Sequence, residues 1–594
     1  MRSGMQFENS LIQGAQRSWR DAFSIDLRSL ALFRMGLAAT LLYNLATRSR
    51  DLVAMYTDSG YLPVATWRAT VDVSFWSLHG LRGETTFVVF LFLLHAVAGV
   101  ALLVGYRARL ASCLAWLLLV SLHHRNPLLL SGGDVLLGML LFWSIMLPTD
   151  ARWSVAAWRG KYTDLPQRYF SAASCGAMLQ VFLMYLVTGL SKCNEAWWSG
   201  DALFRVFHFE LIARPLGQSM LGMPRLLWWL TISALFLELS SPWLLLISKF
   251  RYRIRLFAVV SLIALHFGIE LTMQVLIFSW VSLSGLMLFL PTTFWDWCDV
   301  ERWLGSSLSR NSTAAAPGRH DRWGRPLILL VSIFAISYAF TYNLLFLAKF
   351  NDLPVPISAG LDQGIERVGE VFGWTQKWNM FSKPKRHDFR FATVATLPNG
   401  QLVDLLHDGM PVSLDDPTTV DPRAASQRWM LTLLHLGTAQ HAKFLPAVTN
   451  YWMRQWNQSH PESEQIDLVD HIVLVRPLDP QGNPMDLEIR RLIQVDRHAS
   501  GGYVDGQPDG PWEFRYPNGQ RSAAGEFRQG KKVGTWTTWY PDGTLESRGA
   551  YENDQFEGPW EFYDEQGRCV REVYRAGKST SPPTSPAAPT SPPE

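Results

Sequence analysis

Long apolar runs dominate the first part of the chain, up to about residue 349, and the remainder is polar, charged and rich in turns. Nine runs approach the roughly 20 residues that a helix needs to cross a bilayer. These predicted spans are 27–46, 86–105, 108–123, 129–148, 171–191, 226–248, 254–271, 272–291 and 327–348. The third is short, and the seventh and eighth come from one continuous run that can form a hairpin or a single bent element. The pattern predicts an α-helical polytopic membrane bundle of about eight to nine spans, followed by a β-rich soluble region.

The distribution of lysine and arginine predicts an orientation. With a cytoplasmic N-terminus, the segments on the cytoplasmic side carry about twice as many of these residues as the opposite segments. Residues 1–26 are mostly polar, and no small-residue cleavage site follows the first apolar run, so we expect that run to stay as an anchor. Nine spans then put the C-terminal region on the periplasmic or lumenal face. Eight spans would reverse that inference.

The polar part contains an internal repeat. Gly-x-Trp recurs with a period of 24 at Trp512, Trp536 and Trp560, and each tryptophan is followed seven residues later by a glycine, at Gly519, Gly543 and Gly567. This pattern is typical of short paired strands joined by tight turns. A single unit cannot bury its own aromatic residues, so the tryptophans are predicted to form the core of a short array of stacked β-hairpins.

The remaining boundaries follow from composition. Residues 350–499 combine alternating, strand-like runs with a helical period and predict a soluble α+β domain, ahead of the repeats at 500–578. Residues 579–594 are rich in proline, serine and threonine and predict a disordered tail. The net charge of +3 and the absence of a compact basic patch argue against nucleic acid as a partner. Five cysteines form no CxxC pair and no metal-ligand spacing, so no metal site is expected.

Ionisable residues within the predicted spans are informative, because charge there is costly and usually paired or functional. Five of them are candidates for a site. They are Arg34, Asp134, Glu238, His266 and Glu270. One interpretation pairs Arg34 with Asp134 or Glu238 in ion pairs that fix helix packing. His266 and Glu270 are four residues apart and therefore share a helix face. That face predicts a polar cavity, although a structural histidine is an open alternative.

Lys192 follows an apolar run directly, in YLVTGLSKCNEAWWSGDAL. It can be an interface anchor, because lysines extend to the interface at helix ends and tryptophans such as Trp197 and Trp198 belong there. Alternatively, its amine is partly buried at the outer end of the bundle, where desolvation leaves some of it neutral and basic. Its position along the chain does not decide between the two.

The same stretch resembles the helix end that carries the catalytic lysine of vitamin K-dependent gamma-glutamyl carboxylases, with Lys192 at the position of that lysine. IDLRSLALFRMG and MYTDSGYLP resemble the opening of the HTTM family (horizontally transferred transmembrane domain), which includes these carboxylases. Further segments are similar to family elements in the same order: HRNPLLLSGGDVLLGMLLFWSIMLP, LELSSPWLLLI, LHFGIELTMQVLIFSW and KWNMFSKPKRHDFRF. The resemblance covers roughly residues 24–405. The repeats resemble MORN-variant repeats.

This resemblance implies a bacterial inner-membrane enzyme with Lys192 as a base, using reduced naphthoquinone, O2 and CO2 to carboxylate a glutamate of a peptide or protein substrate. His266, Glu270, Asp134, Glu238 and Arg34 are the candidates for a polar lining.

Departures from the family pattern also stand in the sequence. A histidine of the animal enzymes falls on Gly133, and Ile269–Leu271 replace an Asn-Ser-Gln. The resemblance therefore implies quinone oxidation coupled to carboxylation of protein glutamate or to a related diverged reaction. The alternative is a non-catalytic membrane anchor that displays the repeats to a protein partner. A transporter is disfavoured because no inverted repeat of the spans is visible.

Overall fold

The structure is a computed structural model that describes residues 19–71, 74–161, 166–247, 252–299, 324–354, 359–407, 409–412, 426–466, 468–479, 483, 485–496, 499–504, 507–516, 520–564 and 566–580. Most of the predicted N-terminal segment, Gly519 and the predicted tail after residue 580 lie outside these residues. Contacts divide the chain into two units. Unit 1 comprises the residues up to His387 together with 478–483, and unit 2 comprises the rest.

Unit 1 is helical. Its helices are α1 (Leu27–Ser49), α2 (Leu52–Tyr56), α3 (Val64–Thr70), α4 (Thr85–Val104), α5 (Ala108–Arg125), α6 (Gly132–Met146), α7 (Val155–Trp158), α8 (Ala172–Ser191), α9 (Glu195–Trp198), α10 (Ala202–Phe207), α11 (Pro215–Ser219), α12 (Pro224–Leu245), α13 (Tyr252–Thr272), α14 (Phe278–Leu286), α15 (Thr292–Cys298), α16 (Gly324–Phe350) and α17 (Ala359–Phe372), with 3₁₀ turns at Pro127–Leu129, Met220–Gly222 and Met287–Phe289. Two short strands, β1 (Ile25–Asp26) and β2 (Arg168–Tyr169), pair antiparallel.

Local sequence signals explain where the long helices begin and end. Asp26 caps α1 by accepting the Arg28 N–H at 2.9 Å. Ser131 and Ser171 form capping boxes at the starts of α6 and α8, which satisfy backbone N–H groups that a helix start leaves without partners. Gly105 ends α4 in the left-handed conformation, at φ 66°, which glycine adopts without strain.

Each predicted apolar run contains a helix, but the predicted span count is not confirmed. Among the described residues, five helices are long and apolar enough to cross a membrane: α1, α4, α8, α13 and α16. Two sharply bent helix pairs, 215–245 and 278–298, raise that number to seven if each is one span. The run at 254–291 forms two helices, because the chain breaks between α13 and α14 at residues 273–277, where Leu276 has a positive φ of 53°.

The helix ends of unit 1 collect into two sets. At the first end, which contains the start of α1, Ser29 donates to the Leu290 carbonyl at 3.0 Å, and Arg255 donates to the Ala22 carbonyl at 2.8 Å. At the second end, which contains the end of α1, Arg48 forms a 2.9 Å ion pair with Asp134. Helices that alternate in direction produce this arrangement, and the end of α8 belongs to the second set.

The predicted boundary at 349/350 does not coincide with the division between the units. Helix α17 follows α16 and stays in unit 1, because the two helices are linked by the Lys349–Asp362 ion pair at 2.6 Å and by a 3.3 Å hydrogen bond from the Tyr338 hydroxyl to the Ile365 carbonyl. The polar composition of this segment reflects an amphipathic helix beside the bundle rather than the start of a soluble domain.

Unit 2 is built on one sheet. Its strands are β3 (His387–Thr396), β4 (Leu402–Asp404), β5 (Met410–Pro411), β6 (Leu468–Pro477), β7 (Glu488–Asp496), β8 (Ala499–Val504), β9 (Gln507–Arg515), β10 (Arg521–Arg528), β11 (Lys531–Trp539), β12 (Leu545–Glu552), β13 (Gln555–Tyr563), β14 (Cys569–Arg575) and β15 (Lys578–Ser579), with helices α18 (Gln427–Leu436) and α19 (Leu445–Ser459) between β5 and β6. The 13 strands lie in the order β15 to β6, then β3, β4 and β5. The expected division at 499/500 is therefore absent, because β8 pairs with β7 on one side and β9 on the other.

The repeat tryptophans are buried against glycines of neighbouring strands. Trp536 is opposite Gly549 in the antiparallel β11–β12 pair. A Cβ atom at Gly549 would come within 2.2 Å of the Trp560 ring, and one at Gly525 would come within 2.1 Å of the Trp536 ring. The indole rings thus occupy the space that a side chain on the adjacent strand would need.

Candidate functional site

Lys192 is the C-cap residue of α8, at the second end of unit 1. Its backbone N–H donates to the Gly189 carbonyl at 3.1 Å. A Cβ atom at Gly189 would lie 3.2 Å from the carbonyl carbon of Glu238, so the absence of a side chain lets α8 and α12 approach closely at this level. Lys192 therefore lies against α12 as well as at the end of α8.

Lys192 and Glu238 form a buried ion pair. The Nζ atom lies 2.6 Å from both carboxylate oxygens of Glu238, and the two side chains are only 7% and 6% exposed. An interface anchor would extend its ammonium group to water, and Lys192 does not. Burying both charges is costly, and their attraction offsets that cost only while both partners are present.

A cover of aromatic and backbone groups closes the pair from outside. The Lys192 Nζ lies 4.7 Å from the centre of the Trp197 ring, in cation–π geometry. Trp197 donates its indole N–H to the Phe381 carbonyl at 3.0 Å, and Asn194 donates to the Ser382 carbonyl at 2.8 Å. The segment KWNMFSK, which follows α17, is thereby fixed over the end of α8.

Next to the pair lies a second buried polar contact, between Tyr185 and His266. The Tyr185 hydroxyl is 2.7 Å from His266 Nε2, and His266 Nδ1 has no hydrogen-bond partner among the described residues. Lys192 and Glu238 are close enough to act electrostatically on His266 and Tyr185, respectively. Tyr185 precedes Lys192 by seven residues, two helical turns, so both project from the same face of α8. That spacing was visible in the sequence, but Tyr185 was not among the predicted site residues.

Glu270 lies one helical turn beyond His266 and borders a groove. Its Oε1 accepts a hydrogen bond from Arg214 at 2.9 Å. The groove encloses about 580 Å³ between α1, α13 and α14, and its other walls include Tyr43, Trp280 and Ser284. Its lining is mostly apolar with a few polar groups, which is the usual character of a small-molecule site.

Two predicted site residues lie elsewhere. Asp134 is fully buried at the start of α6, where it accepts hydrogen bonds from Asn44 at 3.0 Å and from Arg48 at 2.9 Å. Arg34 belongs to the first end and donates to the Thr149 and Trp153 carbonyls at 2.9 and 2.7 Å. The predicted ion pair of Arg34 with Asp134 or Glu238 is wrong, because the antiparallel course of α1 and α6 brings Asp134 to the end of α1, and Arg34 is near its start.

Gly133, the position of the family histidine, is enclosed by backbone. A Cβ atom there would come within 2.8 Å of the Phe278 N atom and 2.9 Å of its Cα atom. The Phe278 ring is in turn 5.7 Å from the His266 ring. No side chain fits at Gly133 without moving the start of α14, so the departure from the family pattern has a packing reason.

The assembled site is thus a covered acid–base pair, Lys192 with Glu238, beside a histidine that is hydrogen-bonded to Tyr185. It can hold one proton between two groups in an apolar, water-poor setting, where electrostatic interactions are strong. Of the predicted residues, the structure brings together Lys192, Glu238 and His266, and it separates Asp134 and Arg34 from them.

A family model described as HTTM domain matches residues 23–297, a range that includes both members of the Lys192–Glu238 pair. No curated protein and no solved structure matched the chain. An HTTM domain therefore spans residues 23–297, and together with the apolar helices it identifies a multi-pass membrane protein that contacts the lipid bilayer.

Proposed function

We propose that the helical unit is a vitamin K-dependent carboxylase-like enzyme in which Lys192 removes a proton from a reduced naphthoquinone. The observation that carries this proposal is the enclosed Lys192–Glu238 pair: a lysine at a helix end is held against a carboxylate inside the protein instead of reaching solvent.

The convergence of distant segments supports the proposal. Four stretches that resemble family elements contribute to one place: Lys192 and Trp197 from the first, Glu238 from LELSS, His266 from LHFG, and Phe381 from KWNMFSK. A structural ion pair needs two helices, whereas this arrangement also has an aromatic cover and a neighbouring histidine. Such enclosure is what a reactive site that must exclude water requires.

Glu238 has a defined role in this proposal. It accepts a proton from the Lys192 ammonium group, so that a charged pair becomes a neutral amine and a neutral carboxylic acid. The neutral amine can then take a proton from a phenolic hydroxyl, which leaves an ammonium group beside a neutral carboxylic acid. The pair returns to its starting state when the carboxylic acid releases its proton to water after the product has left. An uncharged amine is the form of a lysine that can act as a base. Trp197 limits the access of water to the amine.

The groove beside Glu270 fits a planar ring with an apolar tail. Its aromatic walls, Tyr43 and Trp280, suit stacking, and the Arg214–Glu270 pair offers polar contacts at one side. When bound, a reduced naphthoquinone oxidised by O2 supplies the strong base that the carboxylation of a peptide glutamate with CO2 needs. In this proposal Tyr185 and His266 relay the proton from the groove to Lys192, since His266 lies one helical turn from Glu270 at the groove and bonds the Tyr185 hydroxyl.

The test is epoxide formation by the full-length protein in lipid with reduced menaquinone and O2, which does not require the acceptor peptide. We expect epoxide from the wild type and at least about a 100-fold loss in Lys192→Ala, the scale typical of general acid–base groups. Lys349→Ala is the matched control, since Lys349 also ends a helix and pairs with a carboxylate but is half exposed, and it should keep full activity. Glu238→Gln should lose activity as well.

Two results would overturn the proposal. One is undiminished epoxide formation by Lys192→Ala. The other is the absence of epoxide from wild-type protein shown to be folded, which would favour the alternative of a non-catalytic anchor that displays MORN-like repeats to a partner.

We also propose the bacterial inner membrane as the location, with a cytoplasmic N-terminus and a periplasmic unit 2. The excess of lysine and arginine in the segments assigned to the cytoplasm supports this orientation. Cys569, exposed on β14, reports it directly. In spheroplasts a membrane-impermeant maleimide should label the wild type more than Cys569→Ser. Equal labelling of the two, with a difference only after lysis, would place unit 2 in the cytoplasm.

A further inference from the structure

A second group of buried polar side chains lies at the second end of unit 1 and includes neither Lys192 nor Glu238. We call it the arginine–histidine cluster: Arg48 from the end of α1, His79 from the loop before α4, His95 from α4 and Arg125 from the end of α5. All four residues are fully buried. Arg48 is satisfied by Asp134, Asn44 and Tyr56. Arg125, His79 and His95 each have at least one side-chain nitrogen without a hydrogen-bond partner among the described residues.

Arg125 is the least satisfied of them. Its Nη2 donates to the Leu62 carbonyl at 2.7 Å, but its Nε and Nη1 atoms have no hydrogen-bond partner among the described residues. Asp58 is close enough to attract Arg125, yet the two form no ion pair, and Asp58 Oδ1 instead accepts the Val64 N–H at 2.7 Å. A buried guanidinium with two unpaired nitrogens is costly, because their N–H groups have lost water without gaining an acceptor among the described residues.

His79 adds a donor, which follows from the hydrogen bonds of Ser121. The Ser121 hydroxyl oxygen accepts the backbone N–H groups of Leu78 and His79, at 2.8 and 3.1 Å. With both lone pairs used, its own hydrogen points to His79 Nδ1, 2.7 Å away. Nδ1 is then the acceptor, and Nε2 carries the hydrogen. Nε2 is buried and has no partner among the described residues.

His79 and Arg125 lie at the same face of α5, because His79 Nδ1 bonds the Ser121 hydroxyl and Arg125 follows Ser121 by four residues, about one helical turn. Phe92 contacts both the His79 ring, at 6.0 Å, and the Tyr56 ring, at 5.5 Å, and the Tyr56 hydroxyl binds Arg48. Burial, followed by the influence of His95, Arg125 and Arg48, lowers the pKa of His79 to about 3. His79 is therefore a neutral donor near two permanent cations.

We propose that the arginine–histidine cluster binds a small oxoanion of carboxylate type, such as formate, acetate or bicarbonate. The Nε and Nη1 atoms of Arg125 each carry an N–H group without an acceptor among the described residues, and a guanidinium N–H donates a strong, charge-assisted hydrogen bond to a carboxylate oxygen. His79 Nε2 supplies a third donor. An anion at this point would satisfy the buried donors and offset the charge of Arg125. This site is separate from the Lys192 pair, and the inference does not depend on the proposed quinone chemistry.

The experiment is a thermal-unfolding titration of the full-length protein in lipid nanodiscs. Sodium formate, acetate or bicarbonate replaces sodium chloride at constant ionic strength and pH. A ligand that binds only the folded state raises Tm in a saturable manner. We expect a saturable rise for the wild type, and the oxoanion that saturates at the lowest concentration identifies whether a carboxylate or bicarbonate is the natural class.

Variants tie the effect to the cluster. Arg125→Gln should raise the apparent dissociation constant at least tenfold, and His79→Phe should weaken binding without removing a charge. Arg255→Gln is the matched control, because Arg255 is also buried and donates to one carbonyl, but at the first end. It should keep the wild-type response. A wild type without a saturable rise, or an Arg125→Gln and a His79→Phe variant that both respond like the wild type, would overturn the proposal.

Discussion

The helical bundle and the repeat strands distribute charge in opposite ways. In the bundle, Lys192 and Glu238 are both under 10% exposed and face apolar helices. In the repeats, Arg568 and Asp564 form an ion pair at 76% and 40% exposure, and aromatic residues such as Trp536 occupy the interior. Exposed pairs contribute little to stability, whereas a buried pair persists only with both partners present. Because buried charge is costly, the buried pair in the bundle is a better candidate for a reactive site than the exposed pairs of the repeats.

The largest expected effect is the removal of one member of the buried pair. Lys192→Met should destabilise unit 1 by about 3–5 kcal/mol, because Glu238 is left buried without a counter-charge. Lys192→Met/Glu238→Leu should recover most of that loss. The measurement is denaturant unfolding in mixed micelles, followed by helical circular dichroism. Lys349→Met, from the half-exposed pair with Asp362, should change stability by about 0–1 kcal/mol. If Lys192→Met is as stable as Lys192→Met/Glu238→Leu, the unpaired Glu238 carboxylate carries no cost, and the pair is not desolvated.

A smaller effect is expected in the repeats, where close packing takes the place of charge. Gly549→Ala should destabilise unit 2 by about 1–3 kcal/mol, since the new methyl group would overlap the Trp560 ring and overpacking carries a cost of this size. Val573→Ala, one 24-residue period further on and half exposed, should be nearly silent. Urea unfolding followed by tryptophan fluorescence compares the two. Equal stability of Gly549→Ala and the wild type would mean that the Trp560 ring does not pack closely against Gly549.

The sequence was sufficient for elements that depend on neighbours along the chain. The apolar runs predict helices α1, α4, α8 and α13 closely, because a span needs its length of apolar residues wherever it packs. The 24-residue period locates the strands around the repeat tryptophans. At the predicted boundary of 499/500 the composition changes while strand pairing continues from β7 through β8 to β9.

The site itself was only partly predictable, for a physical reason. The family resemblance predicts Lys192 as a site residue, and Glu238 and His266 are predicted because ionisable residues are conspicuous in an apolar run. Whether these residues lie together depends on which helices are in contact, and the hydrophobic periodicity of the sequence does not give that information. The same limit explains the error at Arg34: a buried arginine can be satisfied by carbonyls as well as by a carboxylate, and only the fold decides. Tyr185 was missed because tyrosine in an apolar helix carries no distinctive signal.

Unit 2 also contains a buried ionisable residue, a histidine outside the repeats. His471 on β6 is 1% exposed, its Nδ1 is 2.8 Å from the Thr393 hydroxyl, and burial lowers its pKa to about 4, although Asp404 opposes that shift. The unfolded chain, with a histidine pKa near 6.5, therefore binds the proton first as pH falls. The stability of unit 2 should fall by about 1 kcal/mol between pH 6 and pH 5 and level off below the folded-state pKa. His471→Leu should remove this part of the pH dependence, as measured by urea unfolding at each pH. If the wild type and His471→Leu lose the same stability between pH 6 and pH 5, another group causes the loss, and protonation of His471 does not contribute to the pH dependence of unit 2.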